Sequence, residues 1–528
     1  MSIAAQRHSR YLLSRCSNPS TERSFFNSAN FLGGASSVPG TSSPPANTVP
    51  TSYSYLSDML KSIATKIEAP LSYIGTVKKQ QPPVISKAEA VRKSIETRTS
   101  RTEVSKKTRA IVKKMLVAET VQSRILRIQQ LSEHIMAFPP TRVLAAQEPR
   151  LVADLFRAVL QSTDETLRQE ARMCLTLIGY QPPPRSRGVN VLTIDGGGTR
   201  GMMGLEVLEA IERMSGKKIN ELFDLICGVS TGGILAALFS SKMYTVKECR
   251  EIYMEISQKL FSQGKFQGGY GLLTSHSYYN TTLWMSILKE IIGNNLRMID
   301  TSKALNAPRL AIVASIVNFP TMQPFIFRNY EHPAGRDSHY RGGAEHPLWT
   351  AVQASAAAPL YFEEVKLGNF LLQDGGVFAN NPSAIAMHEA KLIWPTENIH
   401  CVVSVGNGRS VLHMDPPTTV MSTSFQSKLM RIIDSATDTE AVHMCMHDML
   451  DQSVYYRFNP YMTFSYGLDE IQKDRLVQMQ NDAKLYVRRN SLKIEAAALR
   501  LTQEPTLWQR AQRSFTQFKD LNGYYSPQ

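Results

Sequence analysis

The chain lacks any run of eighteen consecutive apolar residues, so its sequence predicts no helix that spans a bilayer. Cysteine is also scarce: there are six in 528 residues, and none forms a C-x-x-C pair. This scarcity argues against a disulfide framework and indicates a reducing compartment. No EF-hand loop or other dense carboxylate pattern occurs, so we expect no calcium site, no other metal and no cofactor.

The composition, with 43% hydrophobic and 20% charged residues, is typical of a globular protein, but 528 residues exceed one domain of ordinary size. Ser, Pro, Thr and Gly dominate residues 36–54, which we interpret as a disordered linker. We divide the chain into a targeting leader (1–35), a disordered linker (36–60), a basic helical region (61–185), an α/β domain (186–420, motif core 191–386) and a helical C-terminal region (421–528).

The net charge of +14 is unevenly distributed, because residues 61–115 hold fourteen Lys or Arg against four Glu. One interpretation of this segment is a solvated helix face. Nucleic-acid binding is disfavoured, since Tyr73 is the only aromatic residue there and a stacking platform is absent. We favour docking to an anionic phospholipid surface, and the sequence identifies no protein partner.

The first 21 residues contain three arginines, Arg7, Arg10 and Arg15, and no acidic residue. Without an apolar h-region, this composition is typical of a mitochondrial transit peptide and not of a secretory signal. A merely basic, disordered segment is the alternative. We expect a mitochondrial protein peripheral on membranes, with the endoplasmic reticulum as another candidate. The final residues lack the peroxisomal Ser-Lys-Leu signal.

Apolar residues follow helical spacing from about Val104 until Pro139-Pro140, which predicts one long helix. Two further helices are predicted over Leu151–Leu160 and Glu165–Ile178. Antiparallel helices joined in this way resemble an armadillo-like layer, although so few helices do not establish a repeat. The prolines at 182–184 separate this layer from the α/β domain.

Two glycine motifs carry the chemistry. Asp195 to Gly201 (DGGGTRG) lies between a predicted strand, Val189–Ile194, and a predicted helix, Met202–Met214. Backbone N–H groups at such a helix start suit an anion, either a phosphate or an oxyanion. The same residues match the dinucleotide pattern G-x-G-x-x-G, with Glu221 as the acidic residue about twenty positions on. A nucleotide-binding enzyme is therefore an alternative.

The second motif, Gly228 to Gly232 (GVSTG), has the G-x-S-x-G form of a nucleophile elbow. A predicted strand, Leu222–Cys227, precedes it and a predicted helix, Gly233–Leu238, follows. On so tight a turn the hydroxyl of Ser230 would be presented to a substrate, so Ser230 is the candidate nucleophile. The flanking Gly228 and Gly232 leave room for the approach.

A third element, Gln373 to Gly376 (QDGG), places a carboxylate, Asp374, at the end of an apolar stretch. Further strands are predicted over Leu310–Val317, Phe370–Gln373 and His400–Val405, and a helix over Trp349–Ala357. Since active sites of α/β sheets form where strands end, serine, anion cradle and carboxylate together indicate acyl transfer.

The order Asp-Gly-Gly-Gly-x-Arg-Gly, Gly-x-Ser-x-Gly and Asp-Gly-Gly resembles the patatin-like phospholipases. The resemblance extends from about Leu167 to about Pro460. Further segments resemble the calcium-independent phospholipase A2 gamma branch of that family: Phe327 to Tyr330, Ser338 to Tyr340, Ala354 to Pro359, Asn380 to Pro382 and Ser435 to Glu440.

This resemblance implies a three-layer α/β/α hydrolase domain that cleaves fatty acyl esters of glycerophospholipids through an acyl-serine intermediate. It assigns Ser230 as nucleophile and Asp374 as proton acceptor, without an intervening histidine. The backbone of Gly196, Gly197 and Gly198 would form the oxyanion hole. Supporting roles fall to Arg200, Gly228, Gly232, Gly375 and Gly376.

Other interpretations stay open. His388 follows Ser230 and Asp374 in the order of an α/β-hydrolase triad, but it lies on a predicted helix only fourteen residues after Asp374. His443 and His447 would share a helix face, while Cys445 would not, so zinc binding is disfavoured. A membrane adaptor with an inactive hydrolase domain is the non-enzyme alternative.

Overall fold

A computed structural model describes residues 100–262, 279–410 and 439–525. The predicted leader, the predicted linker and residues 61–99 of the basic region lie outside the described residues. None of the helices within the described ranges is both long and apolar enough to cross a bilayer.

The N-terminal part is helical, as predicted. The single helix predicted from Val104 to Pro139 is wrong, because the side chain of Thr120 accepts the N–H of Ser123 and thereby starts a new helix. The helices of this layer are α1 (Arg101–Leu116), α2 (Val121–Ala137), α3 (Thr141–Ala146), α4 (Pro149–Gln161) and α5 (Glu165–Leu177).

The helical layer has its own core, to which Ile128, Leu131 and Leu151 contribute fully buried side chains. Burying each such side chain stabilises the fold by about 1.5–3 kcal/mol. Helix α5 packs against a 3-10 turn, Ile299–Lys303, where Lys303 Nζ lies 3.0 Å from Glu170 Oε1. The layer is therefore anchored to the α/β domain.

The α/β domain is built on a mixed sheet in the order β10-β8-β1-β2-β3-β4-β5, with β7 also pairing β3 and β6 pairing β7. The strands from β10 to β3 are parallel. They are β1 (Val189–Ile194), β2 (Leu225–Val229), β3 (Arg309–Ile316), β4 (Gln323–Arg328), β5 (Arg341–Gly343), β6 (Val365–Leu367), β7 (Phe370–Asp374), β8 (Ile399–Val405) and β10 (Tyr455–Phe458).

Helices cover both faces of this sheet. Alternate residues of β1 pack into opposite clusters, Leu192 and Ile194 on one face and Val189 and Val191 on the other, as expected of a strand buried on both sides. The helices are α6 (Gly201–Ser215), α7 (Ile219–Leu222), α8 (Thr231–Ala237), α9 (Val246–Phe261), α10 (Thr281–Ile292), α11 (Leu348–Ser355), α12 (Gly376–Ala379), α13 (Ser383–Ile393), α14 (Thr439–Met449), α15 (Lys473–Arg489), α16 (Ser491–Leu501) and α17 (Leu507–Leu521).

The two faces are covered by different helices. Helices α6 and α8 to α11, together with α15 and α16, pack on one face, and α13 and α14 pack on the other. The predicted three-layer α/β/α architecture is confirmed. The C-terminal region is mainly helical, but its strand β10 extends the central sheet beside β8, and a short strand β11 (Tyr461–Met462) pairs with β9 (Arg409–Ser410).

The edge of β3 that faces β2 is shared by two strands. Strand β2 pairs with the first half of β3 and ends with Val229 opposite Val313. Strand β7 runs antiparallel to the second half of β3 and ends with Asp374 opposite Ala314. The ends of β2 and β7 therefore meet beside neighbouring residues of β3, which brings Ser230 and Asp374 together.

Candidate active site

Ser230 lies on the sharp turn between β2 and α8, with φ 55° and ψ −123°. This conformation costs a non-glycine residue about 1–3 kcal/mol and persists only where surrounding contacts hold it. A Cβ at Gly228 would overlap the carbonyl oxygen of Gly232, and a Cβ at Gly232 would overlap that of Ile194. The motif's glycines are thus required by close backbone packing.

A neighbouring helix supports the strained turn. The backbone N–H of Ser230 donates a 2.8 Å hydrogen bond to Oγ of Ser355, the last residue of α11, and that hydroxyl donates to the carbonyl of Val313 at 2.6 Å. Because all three residues are buried, water cannot replace these bonds. Sequence reasoning identified residues 354–359 only as part of the resemblance and assigned no role to Ser355.

Asp374 lies at hydrogen-bond distance from Ser230. The Ser230 hydroxyl donates to Asp374 Oδ2 at 2.6 Å, across 144 residues of sequence. The N–H of Gly376 donates to Asp374 Oδ1 at 2.7 Å, while the N–H of Gly375 donates to the carbonyl of Ser355 at 3.2 Å. Both carboxylate oxygens are therefore oriented, one by the serine and one by the following turn.

Burial changes the acidity of this carboxyl group. Asp374 is 5% exposed, and its desolvation raises its pKa to about 6, although the hydrogen bonds from Ser230 and Gly376 oppose the rise. An ordinary aspartate has a pKa near 3.9 and is a poor base. A pKa of about 6 is closer to the pKa that a general base needs in order to act near neutral pH.

The glycine loop passes directly beside the serine, since a Cβ at Gly196 would lie 2.9 Å from Ser230 Cβ. Its three candidate donors are not equivalent. The N–H of Gly196 points to the carbonyl of Asn380 at 3.4 Å, and that of Gly197 donates to Thr231 Oγ1 at 3.2 Å. Within the described ranges, the N–H of Gly198 has no protein acceptor and remains available to a ligand.

Two side chains orient the glycine loop by donating hydrogen bonds to its carbonyl groups. Arg200 Nε donates to the carbonyl of Gly197 at 3.1 Å, and the buried hydroxyl of Tyr253 donates to the carbonyl of Gly198. The latter bond turns the Gly198 carbonyl towards α9. Tyr253 was not recognised from the sequence, where it looks like any apolar position of a helix.

Asp195 is held by a cation from the far end of the chain. Arg457 on β10 contacts its two carboxylate oxygens at 2.6 and 3.0 Å, and both side chains are buried. Burial alone would lower the pKa of Arg457, but the Asp195 carboxylate raises it above its ordinary value. The ion pair with Arg457 thus holds Asp195 at the start of the glycine loop, and Arg457 was not identified from the sequence.

An apolar cavity of about 120 Å³ lies over the serine and the carboxylate. Helices α8, α9 and α10 and the segment after α11 supply its apolar walls. The side chains that line it include Ile234, Ile256, Leu260, Trp284, Pro359 and Phe362. Such a lining suits a hydrocarbon chain better than a polar substrate.

Among the described residues, His388 makes no hydrogen bond with Ser230 or Asp374. It sits on α13, with its ring 5.5 Å from that of His339 and 5.0 Å from that of Tyr340. Burial lowers its pKa. The triad alternative therefore has no geometric support among the described residues.

The segments Phe327 to Tyr330 and Ser338 to Tyr340, which contributed to the resemblance, converge on a different residue, Glu389. Its fully buried carboxylate accepts hydrogen bonds at 2.7 to 2.9 Å from Arg328, Tyr330, His332 and Ser338. Although burial opposes ionisation, Arg328 and His332 hold the pKa of Glu389 far below its usual range. This buried network joins β4, the loop after it and α13, and Ser230 is not one of its members.

The nucleotide alternative fails on topology. In a dinucleotide-binding fold the acidic residue follows the second strand, at the carboxyl edge of the sheet. Glu221 instead precedes β2 and accepts the N–H of Lys218 at 2.9 Å, as part of a helix cap. Glu221 is therefore not placed to bind a ribose beside the glycine loop.

The histidine pair on α14 does not assemble a metal site. The rings of His443 and His447 lie 5.9 Å apart, and Cys445 is exposed. Across the part of the chain that the structure describes, no group of three or more His, Cys, Asp or Glu is arranged to hold a metal ion.

A strained serine, a buried carboxylate in contact with it and an apolar cavity on a three-layer α/β/α fold together define a serine-hydrolase type of site. Residues 192–387 match the family model described as patatin-like phospholipase. The predicted resemblance is thereby confirmed.

Individual relatives extend the similarity. Over 412 residues the chain is 42% identical to calcium-independent phospholipase A2-gamma of Oryctolagus cuniculus and 41% identical to that of Homo sapiens. Each alignment covers 78% of this chain and 52% of the relative, so the chain spans about half the length of the curated relatives it matches. The solved structure of human GIVD cytosolic phospholipase A2 is 10% identical, with 69% of this chain and 64% of that chain covered and a TM-score of 0.34.

Proposed function

We propose that the protein is a calcium-independent phospholipase, which hydrolyses fatty acyl ester bonds of membrane glycerophospholipids to free fatty acid and lysophospholipid. The observation that carries this proposal is the 2.6 Å hydrogen bond between Ser230 Oγ and Asp374 Oδ2 beside an apolar cavity. The match of residues 192–387 to the patatin-like phospholipase model and the similarity to relatives named phospholipase A2 support it.

In the acylation step, Asp374 Oδ2 accepts the proton of Ser230 while the serine oxygen attacks the ester carbonyl carbon. The tetrahedral intermediate collapses as the carbon–oxygen bond to the glycerol breaks. The proton held by Asp374 passes to the departing alkoxide, which leaves as lysophospholipid. The fatty acyl group stays on Ser230.

Deacylation repeats the chemistry with water. Asp374 accepts a proton from the attacking water, the second tetrahedral intermediate collapses, and the proton returns to Ser230 Oγ as the fatty acid leaves. One carboxylate thus serves as base and acid in both halves. Its raised pKa helps in both roles, because the group gains and loses a proton within the same cycle.

We further propose that the glycine loop stabilises the oxyanion, with the free N–H of Gly198 as its principal donor. A single oxyanion donor contributes about 3–4 kcal/mol to transition-state stabilisation in comparable hydrolases. The peptide planes of Gly196 and Gly197 then position the loop instead of binding the oxyanion. Arg200 supports the loop and lies where it can also attract a lipid phosphate.

The proposed location is a mitochondrial membrane surface, which the enzyme approaches as a peripheral protein. The first 21 residues, which contain three arginines and no acidic residue, and the basic region support it. A reporter fused behind residues 1–35 would enter mitochondria, and a fusion that starts at residue 36 would remain outside them. Equal distribution of the two fusions would contradict the proposal.

The decisive experiment is product analysis on phospholipids labelled separately at each acyl position, in excess EGTA and beside Ser230→Ala. Release of labelled fatty acid by the wild-type chain and none by the variant is the expected result. Vesicle binding without release would favour the alternative of an adaptor with an inactive hydrolase domain. Loss of activity in EGTA that Ca²⁺ restores would contradict calcium independence.

A further inference from the structure

A second cavity opens at the same edge of the sheet as Ser230, beyond the carboxyl ends of β8 and β10. Its volume is about 450 Å³, and four basic side chains line it: Arg409, Arg457, Arg489 and Lys493. We call this cavity the basic pocket. In open α/β sheets ligands bind beyond the carboxyl ends of the strands, so its place is one where a ligand is expected.

Carboxylates pair with only two of the four cations of the pocket. Glu440 lies 3.3 Å from Arg409 and 3.8 Å from Arg457, and Arg457 is also paired with Asp195. Within the described ranges, neither Arg489 nor Lys493 has a carboxylate within 4.0 Å. Burial and the neighbouring Arg409 and Arg457 lower the pKa of Lys493, as is expected where positive charges are crowded.

Asp482, the other acidic residue of the lining, is directed elsewhere. Its carboxylate accepts hydrogen bonds from the N–H and hydroxyl of Thr463 at 2.8 and 2.6 Å, and from Tyr466 and Gln478. These neutral donors occupy both of its oxygens. Asp482 therefore organises the wall of the pocket and is not an ion-pair partner of Arg489 or Lys493.

Two guanidinium N–H groups in this pocket lack an acceptor. The Nε atoms of Arg409 and Arg457 are buried and have no hydrogen-bond partner among the described residues. The Arg457 side chain is 3% exposed, so bulk water does not readily replace the missing acceptor. An uncompensated buried N–H costs about 1–3 kcal/mol. Phosphate oxygens are the acceptors that match several guanidinium and ammonium donors converging on one cavity.

We propose that the basic pocket binds a phosphate-bearing anion, through the exposed Arg489 and Lys493 and with Arg409 and the buried Arg457 beside them. The ligand is either a soluble phosphomonoester or the phosphate of a lipid headgroup. The site is separate from Ser230 and its cavity. The glycine loop lies between the two, with Asp195 held from the pocket side by Arg457.

Binding is tested by titration calorimetry of the full chain with glycerol 3-phosphate, at constant ionic strength. Arg489→Gln with Lys493→Gln is expected to weaken binding at least about tenfold, because two charge-assisted contacts are lost. The matched control is Arg488→Gln with Lys473→Gln. It removes the same charge from exposed positions of α15 that do not line the pocket. Thermal unfolding shows that each variant is folded.

A further variant, Arg200→Gln, separates the basic pocket from the glycine loop. Loss of binding in Arg200→Gln, with no change in the pocket variant, would overturn the proposal by moving the phosphate to the active site. Equal weakening by the pocket variant and its matched control would overturn it as non-specific charge attraction. Since binding is measured without substrate turnover, these outcomes do not depend on the proposed hydrolysis.

The two sources of phosphate are distinguished by vesicles. Retention on vesicles that contain phosphatidic acid, compared with phosphatidylglycerol at equal charge, is measured for the wild type and for both double variants. A pocket-dependent preference for phosphatidic acid, without binding of glycerol 3-phosphate, assigns the site to a headgroup. Binding of soluble glycerol 3-phosphate assigns it to a soluble phosphomonoester. Absence of both overturns the proposal.

Discussion

Ser355 accepts the backbone N–H of Ser230 on its hydroxyl at 2.8 Å, and on its own carbonyl it accepts the N–H of Gly375 at 3.2 Å. One residue at the end of α11 thus contacts both the turn that carries Ser230 and the turn that follows Asp374. Together with the pairing of β2 and β7 to β3, these two hydrogen bonds of Ser355 hold Ser230 and Asp374 in position.

Replacing Ser355 with Ala is expected to lower kcat about ten- to a hundredfold, because the buried N–H of Ser230 loses its acceptor at a cost of about 1–3 kcal/mol. The measurement is steady-state hydrolysis of a short-chain ester, with thermal unfolding alongside. Ser286→Ala is the matched control, since its exposed hydroxyl donates only to the carbonyl of Leu283. An unchanged kcat in Ser355→Ala would show that the hydrogen bond between the Ser230 N–H and the Ser355 hydroxyl is dispensable.

Ser230→Ala and Asp374→Ala are each expected to reduce hydrolysis about a thousandfold or more without unfolding the chain. Residues that act as a unit are not additive, so the double variant is expected to be no worse than either single one. His388→Ala should retain activity, because its ring contacts His339 and Tyr340 instead of the serine. A loss in His388→Ala equal to that in Asp374→Ala would restore the triad.

The pH dependence of kcat/KM is expected to have an acidic limb with a midpoint near pH 6, the raised pKa of Asp374. The carboxylate must be ionised to accept the serine proton, so activity rises as pH increases through this value and then levels off. At pH 5 it should be roughly tenfold below the plateau. A limb near pH 4, with the fold intact by thermal unfolding, would contradict the assignment of Asp374 as base.

Glu389→Gln is expected to destabilise the fold by about 3–5 kcal/mol in urea unfolding, because the buried Arg328 loses its charged partner. The folded-state pKa of Glu389 lies below its unfolded value, so its contribution to stability is present above about pH 5 and decreases as the solution is acidified below that. Glu255→Gln, which removes an exposed pair with Lys259, should cost less than about 0.5 kcal/mol. Equal losses of unfolding free energy in the two variants would mean that the buried network stabilises the fold no more than an exposed ion pair does.

Vesicle binding is expected to rise with anionic lipid content and to fall with salt, since screening acts over about 8–10 Å. Within the basic region, four exposed lysines lie on α1, among the described residues. Each is expected to contribute about 1 kcal/mol to binding at an anionic surface. The variant replaces them with Gln: Lys106, Lys107, Lys113 and Lys114. Weaker sedimentation with vesicles, at unchanged turnover of a soluble ester, is the expected result. Equal binding to neutral vesicles would identify these lysines as a solvated surface.

Local pattern was sufficient for the elements that carry the motifs. Strand β1 was predicted over the residues it occupies, and the other predicted strand bounds are within about three residues. The elbow could be recognised because its requirement is local: two glycines and a serine between a strand and a helix. The strand β10 was missed, since it lies within a region whose periodicity is helical.

The supports of the site could not be read from the sequence, because they depend on pairs far apart in the chain. Arg457 reaches Asp195 across 262 residues, and Ser355 reaches Ser230 across 125. The resemblance assigns Gly196, Gly197 and Gly198 together to the oxyanion hole, without distinguishing their amides. Only the three-dimensional contacts with Asn380 and Thr231 distinguish the three amides.

Because β2 and β7 pair with successive halves of one edge of β3, Ser230 and Asp374, the proposed nucleophile and base, do not meet until both strands have paired with β3. One of these pairings is antiparallel and joins segments separated by about sixty residues, so its loop must close before any contact rewards it. During refolding, helical circular dichroism should therefore recover before ester hydrolysis does. The rate at which activity appears would then report the rate at which β7 pairs with β3, so the enzymatic reaction would measure how fast the sheet assembles.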